Sequence, residues 1–169
     1  MRYLLALIFV LLPASVGFGQ EYRMVGKLPA PAMSLTDLSG KKIDTRELAG
    51  KTIVYNLWFV GCPPCMEEIP KLNAIVDEFP DVVFVGMSSS NSDDITKFVA
   101  KQPFKYRLIP SAGKEMLLNF GNTGGGGDMS VGFPTHVVIN HDGYIEFRAT
   151  GIKGVDGVRA ALQKLAAKK

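Results

Sequence analysis

The sequence predicts an α/β domain on a mixed sheet, and three observations carry that expectation. Residues 52–60 form a dense apolar and β-branched run, the pattern of a strand covered on both faces. Residues 62–79 then change to a helical period, with Met66, Ile69, Leu72, Ile75, Val76 and Phe79 on one stripe. Residues 81–88 return to a buried strand. Strand, helix and strand in succession imply parallel pairing, and a late hairpin adds antiparallel strands.

The other elements follow from local signals. Residues 33–38 alternate apolar and polar side chains, turn at 39–42 and resume an extended chain at Ile43, which reads as an N-terminal β-hairpin. Thr45 is positioned to cap a short helix through Leu48. Pro63 and Pro64 suit the first turn of the 62–79 helix, where backbone N–H groups lack partners, whereas Pro70 falls inside it and predicts a kink. Ser92 or Asp93 caps a helix to about Lys101, residues 106–109 are extended, and residues 114–120 are a short helix. The glycine-rich residues 121–132 read as a mobile loop inserted before the last hairpin, which is formed by residues 135–140 and 144–150 around a turn at 141–143. Residues 155–167 close the chain with an amphipathic helix.

Residues 1–19 read as a secretory signal peptide. Arg2 precedes an unbroken apolar run, Pro13 breaks it, and Gly17 and Gly19 are the small residues before a cut at Gln20. The run is shorter than the roughly 20 residues that span a bilayer, so a retained anchor is the lesser alternative. The expected organisation is therefore a signal peptide at 1–19 and one domain at 20–169, in the periplasm or another extracytoplasmic space. The formal net charge of +3 is small and its lysines and arginines are scattered, which argues against a nucleic-acid partner. A domain of about 150 residues buries roughly two-thirds of its unfolded surface, so the two cysteines are not required as staples.

Those cysteines stand as Cys62-Pro63-Pro64-Cys65, where a buried strand gives way to a helix. A helix N-terminus offers unpaired N–H groups and the positive end of the macrodipole, which stabilise a thiolate. Cys62 is expected to be the exposed attacking thiolate and Cys65, one turn deeper, the resolving thiol. A structural disulfide closing so small a loop would constrain the unfolded chain little. A zinc knuckle lacks finger-like spacing among the remaining ligands, His136 and His141. The glycines at 124–127 are no phosphate loop, because no Lys-Ser/Thr follows them. A peroxidatic cysteine is disfavoured because Phe59-Val60-Gly61 before Cys62 lacks the threonine of that context.

The segment NLWFVGCPPCMEEIP at 56–70 resembles the active-site segment of the TlpA/ResA/CcmG group of periplasmic thioredoxin-like proteins, within the redoxin/AhpC-TSA superfamily. The likeness extends over roughly residues 30–167 and includes Trp58, the CxxC pair, Glu68, Pro70 and Phe133-Pro134-Thr135. It implies a thioredoxin fold, with an N-terminal hairpin and a segment inserted before the last hairpin, and thiol–disulfide exchange with no cofactor beyond the cysteine pair. It implies exported thiol or disulfide proteins as clients, a reductant role such as cytochrome c maturation, and a membrane-embedded reductase as electron donor.

The resemblance also assigns residue roles. Pro134 matches the family's cis-proline and, with Phe133 and Thr135, shapes a docking groove to which Trp58 adds aromatic support. Glu68, three residues past Cys65, matches an acid that tunes the buried thiol or relays its proton, and a carboxylate there would raise thiol pKa values. Asn56 stands where ordinary thioredoxins carry a buried acid. Gly61 is a departure, since many relatives have Trp there, and it leaves the flank of Cys62 bare beside Pro63 and Pro64. Two alternatives remain open on the residues alone. One is a Sco-like copper carrier using both cysteines and His136, with Met87 and Met129 as weaker soft donors. The other is a binding module with an unreactive pair.

Overall fold

In the computed structural model, which describes residues 28–168, a five-stranded mixed sheet divides two apolar layers. The proposed signal segment and the cut before Gln20 lie outside the described residues. Strands β1 (Ser34–Thr36) and β2 (Lys42–Asp44) form the N-terminal hairpin, with Leu35 opposite Ile43. A 3₁₀ turn at Thr45–Leu48 follows, and its cap is Asp44 rather than Thr45. Asp44 accepts from the Arg46 backbone, while the Thr45 hydroxyl oxygen accepts from Met33 N–H instead.

The central strand β3 (Ile53–Trp58) is buried along its whole length, as its uninterrupted composition requires. It leads into helix α1 (Pro63–Glu78) and strand β4 (Val83–Ser88), which pairs parallel to β3. Helix α2 (Ser92–Val99) is capped by Asn91, one residue before the expected Ser92, because the Asn91 side chain accepts from Asp94 N–H at 2.9 Å. Strand β5 (Arg107–Ile109) adds a parallel edge, and helix α3 (Gly113–Phe120) follows. The glycine-rich segment contains a short hairpin, β6 (Asn122–Thr123) with β7 (Met129–Ser130), where the sequence suggested an unstructured loop. Strands β8 (Thr135–Ile139) and β9 (Ile145–Thr150) are antiparallel, and helix α4 (Gly154–Ala166) closes the chain. The sheet order β5-β4-β3-β8-β9, with helices packed on it, is the expected thioredoxin fold.

Strand periodicity sorts the core. Tyr55 and Leu57 of β3 point with Val137 and Ile139 of β8 toward the hairpin and α3. Val54 and Val138 point the other way, toward Leu72 and Ile75 of α1 and Val158 and Leu162 of α4. On that same α1 face of the strands lie two polar residues, Asn56 and His136, paired in register across β3 and β8.

Helix α1 runs through Pro70. Proline has no N–H, so the carbonyl of Met66 loses its helical donor. The side chain of Gln102 replaces it, donating Nε2–H to that oxygen at 2.8 Å. A sequence defect in the helix thereby becomes a tie to the segment after α2.

Leu72 is fully buried between α1 and the sheet, whereas Leu118 is 61% exposed. Leu72→Ala is expected to cost about 2–5 kcal/mol in denaturant unfolding, and Leu118→Ala to stay within about 0.5 kcal/mol.

Candidate active site

The site begins at the end of β3. Residues 59–62 form a turn closed by Cys62 N–H donating to Phe59 O at 3.3 Å. Gly61 occupies its third position at φ 91°, the left-handed region that an L side chain resists. A Cβ there would meet nothing within 4 Å, so backbone conformation, not crowding, selects glycine. Val60 N–H donates to Ser90 Oγ at 2.9 Å, which fixes the turn to the loop after β4.

Cys62 is the N-cap of α1 and is joined to Cys65 by a disulfide. Pro63 and Pro64 occupy the first two helical positions and carry no N–H. The first helical donor is therefore Cys65 N–H, and it points to Cys62 Sγ at 3.3 Å. No acidic residue stands in the first turn, so the helix dipole is uncompensated there. Cys62 was expected to be exposed, yet in this disulfide form it is 3% exposed and Cys65 1%. The helix cap and the surrounding Trp58, Ile95 and Leu108 enclose the pair, while Gly61 and Pro63 on either side of Cys62 are exposed.

Glu68 lies one turn beyond Cys65 on the buried stripe of α1 and has no solvent exposure. Its Oε1 accepts from Asn56 Nδ2 at 2.9 Å and lies 3.0 Å from His136 Nε2. Tyr106 donates its hydroxyl to Asn56 Oδ1 at 3.3 Å, completing a chain of four side chains under the redox helix. Burial, and secondarily the charge of Glu68, pushes the Tyr106 phenol well above its ordinary value. Glu67, the neighbouring acid, is exposed and takes no part in this chain. Sequence reasoning singled out Glu68 but missed that His136 and Tyr106 join it. The available signal was polar Asn56 and His136 inside otherwise apolar strands, since buried polar groups need partners.

The bond between Phe133 and Pro134 is cis. The half-buried Phe133 ring meets Phe59 edge-on at a centroid distance of 5.1 Å, which makes an apolar shelf beside the pair. Three of the expected docking residues, Trp58, Pro134 and Thr135, are buried. Trp58 is 1% exposed and stacks at 4.7 Å on Phe104 and 5.7 Å from Phe98, so its ring supports the site from beneath and offers no surface to a client. Thr135 is buried, and its hydroxyl is engaged with Gly132 O and Thr150. His136 does not serve a copper set either, because Nε2 faces Glu68 and Nδ1 lies against Gly154. His141 sits in an exposed turn beside Asp142.

Gly61→Ala should destabilise the oxidised protein by about 1–2 kcal/mol through its left-handed backbone. Denaturant unfolding of the two proteins tests this, and an unchanged midpoint would contradict it.

Comparison with known proteins agrees with this geometry. The Redoxin family profile matches residues 24–162. A thiol–disulfide oxidoreductase ResA of Bacillus cereus is 28% identical over 171 residues, covering 94% of this chain and 93% of that one. ResA of Bacillus subtilis is 42% identical over 126 residues, covering 72% of this chain and 65% of that one. The structure of a secreted Mycobacterium tuberculosis disulfide oxidoreductase, described as homologous to Escherichia coli DsbE, superposes with a TM-score of 0.65 at 25% identity, covering 79% of this chain and 96% of that one. With a disulfide-bonded CxxC at the head of α1 and a cis-proline beside it, the chain belongs to the redoxin family as a thiol–disulfide oxidoreductase of the ResA/DsbE type.

Proposed function

We propose that the protein is an extracytoplasmic reductant of disulfides in exported proteins. The single observation that carries this reading is the setting of the Cys62 sulfur, which receives one helical N–H because Pro63 and Pro64 remove the two before it. A strong oxidant is one whose reduced, thiolate form is stabilised. Fewer donors to the thiolate, and a carboxyl group one turn below, favour the disulfide form and so favour giving electrons away. The apolar run at residues 3–12 and the description of one structural neighbour as secreted support export, and among the described residues no helix is long and apolar enough to cross a membrane.

In the forward reaction the Cys62 thiolate attacks one sulfur of a client disulfide and releases the other as a thiolate. Cys65 then gives its proton to Glu68 and attacks Cys62 Sγ. The S–S bond of the mixed disulfide breaks, the client's second thiolate leaves, and the Cys62–Cys65 disulfide forms. Two electrons have passed to the client. A dithiol donor restores the pair, and a membrane-embedded reductase is the class of donor that the family resemblance implies. The half-buried Phe133 supplies the apolar surface against which the client lies, and the buried Pro134 sets the backbone behind it; Gly61 leaves the approach to Cys62 open, since a side chain is absent there. No metal or organic group takes part in this scheme.

The scheme is tested with a disulfide-bonded protein substrate and a chemical dithiol donor. Cys62→Ser is expected to lose turnover completely, whereas Cys65→Ser should accumulate a mixed disulfide between Cys62 and the substrate, visible by mass spectrometry and cleared by reductant. Turnover by Cys62→Ser equal to that of the parent would overturn the assignment.

A further inference from the structure

The buried side chains under α1 contain one group whose protonation can be read from geometry alone. Glu68 and His136 have no exposure, and Glu68 Oε2 and His136 Nδ1 have no hydrogen-bond partner among the described residues. Asn56 accepts from Tyr106 through Oδ1, so its Nδ2 donates to Glu68 Oε1. The remaining question is which of Oε1 and His136 Nε2, 3.0 Å apart, holds the proton between them. If Glu68 donated, the imidazole would carry its hydrogen on Nδ1. That N–H would be buried against Gly154 with no acceptor, at the full desolvation cost of an orphan donor. A bare Nδ1 lone pair is the tolerable alternative. The groups facing His136 are Glu68 on α1, Asn56 on β3 with Tyr106 behind it, Ala149 across β9 and the backbone at Gly154 on α4.

We infer that His136 is a positioning residue for Glu68: held as the Nε2–H tautomer, it joins Asn56 in filling Oε1 and leaves Oε2 as the open acceptor for the Cys65 proton. The last clause rests on the reductant scheme above; the tautomer does not. Gly154 is part of the device. A Cβ at that position would come within 2.6 Å of His136 Nδ1, so glycine makes the room that lets the ring reach Glu68. Two donors on one oxygen stabilise the carboxylate. Losing one leaves the buried carboxylate with a single donor on that oxygen and so less well stabilised.

The experiment has two readouts on the full protein. Imidazole nitrogen NMR is direct, since the chain contains only two histidines and the exposed His141 supplies the separable second set. His136 should show its hydrogen on Nε2 and a bare Nδ1; a hydrogen on Nδ1 overturns the inference whatever the activity. The second readout is the pH profile of reduction of a disulfide-bonded peptide. His136→Leu should move the acid limb toward higher pH, and at a fixed pH on that limb the rate should fall about tenfold if the limb moves by about one pH unit. His136→Gln should restore the parent limb, because its Nε2–H stands the same number of bonds from the backbone. Gly154→Ala should move the limb as His136→Leu does, although alanine favours the helix; it decides the matter if His136→Leu fails to fold. Equal profiles for parent, His136→Leu and Gly154→Ala, or equal displacements for His136→Leu and His136→Gln, overturn the positioning role. A parent without Cys62-dependent exchange would instead defeat the reductant scheme, and the NMR result would still stand alone.

Discussion

Removing the Glu68 carboxyl group from water carries a large penalty unless donors replace the lost hydration, and much of the interior is arranged around that requirement. Asn56 comes from the middle of the central strand and His136 from its antiparallel neighbour, in register, so the sheet itself brings both donors to one oxygen. Tyr106 reaches in before the edge strand β5 and orients the Asn56 amide. Three elements therefore meet at one carboxylate, with Tyr106 behind Asn56, one helical turn below Cys65. A carboxyl group in that place disfavours a second negative charge nearby, which is the physical basis of the role proposed for Glu68.

The head of the same helix works through a second economy of donors. In a typical helix the first turn presents several free N–H groups to whatever lies at its mouth. Here prolines occupy the first two positions, and only Cys65 N–H addresses the Cys62 sulfur. The dipole still favours a thiolate, with no acid in the first turn to oppose it, but the local hydrogen bonding is thin. Pro70 extends the pattern, since the carbonyl it leaves free is taken by Gln102. At Pro70, helix α1 is thus anchored by a side chain from elsewhere where its own sequence withholds a backbone donor.

Much of this was legible before any coordinates, and the reasons are physical. Residues 52–60 and 81–88 could only be buried strands, and the 3.6-residue period after Cys62 could only be a helix, so the placement of the CxxC pair followed. Cap positions were less certain, because neighbouring residues with equivalent side chains compete: Asn91 rather than Ser92, and Asp44 rather than Thr45, make the bonds. The β6–β7 hairpin escaped notice because its strands of two residues have no periodicity to read. Trp58 and Cys62 are more buried than their proximity to the chemistry suggested, since aromatic side chains from α2 and the loop beyond it close over the end of β3. The role of His136 required knowing which residue of β8 stands opposite Asn56, and register is a property of the fold, not of either strand alone.

The central claim is that the environment of the pair favours the disulfide and makes the protein an electron donor. The reduction potential of the Cys62–Cys65 couple, measured by equilibration in thiol redox buffers, tests it most directly. The account predicts a value close to that of thioredoxin, about −270 mV, or below it. A value close to that of DsbA, about −120 mV, would mean that the thiolate form is strongly stabilised and would contradict the account.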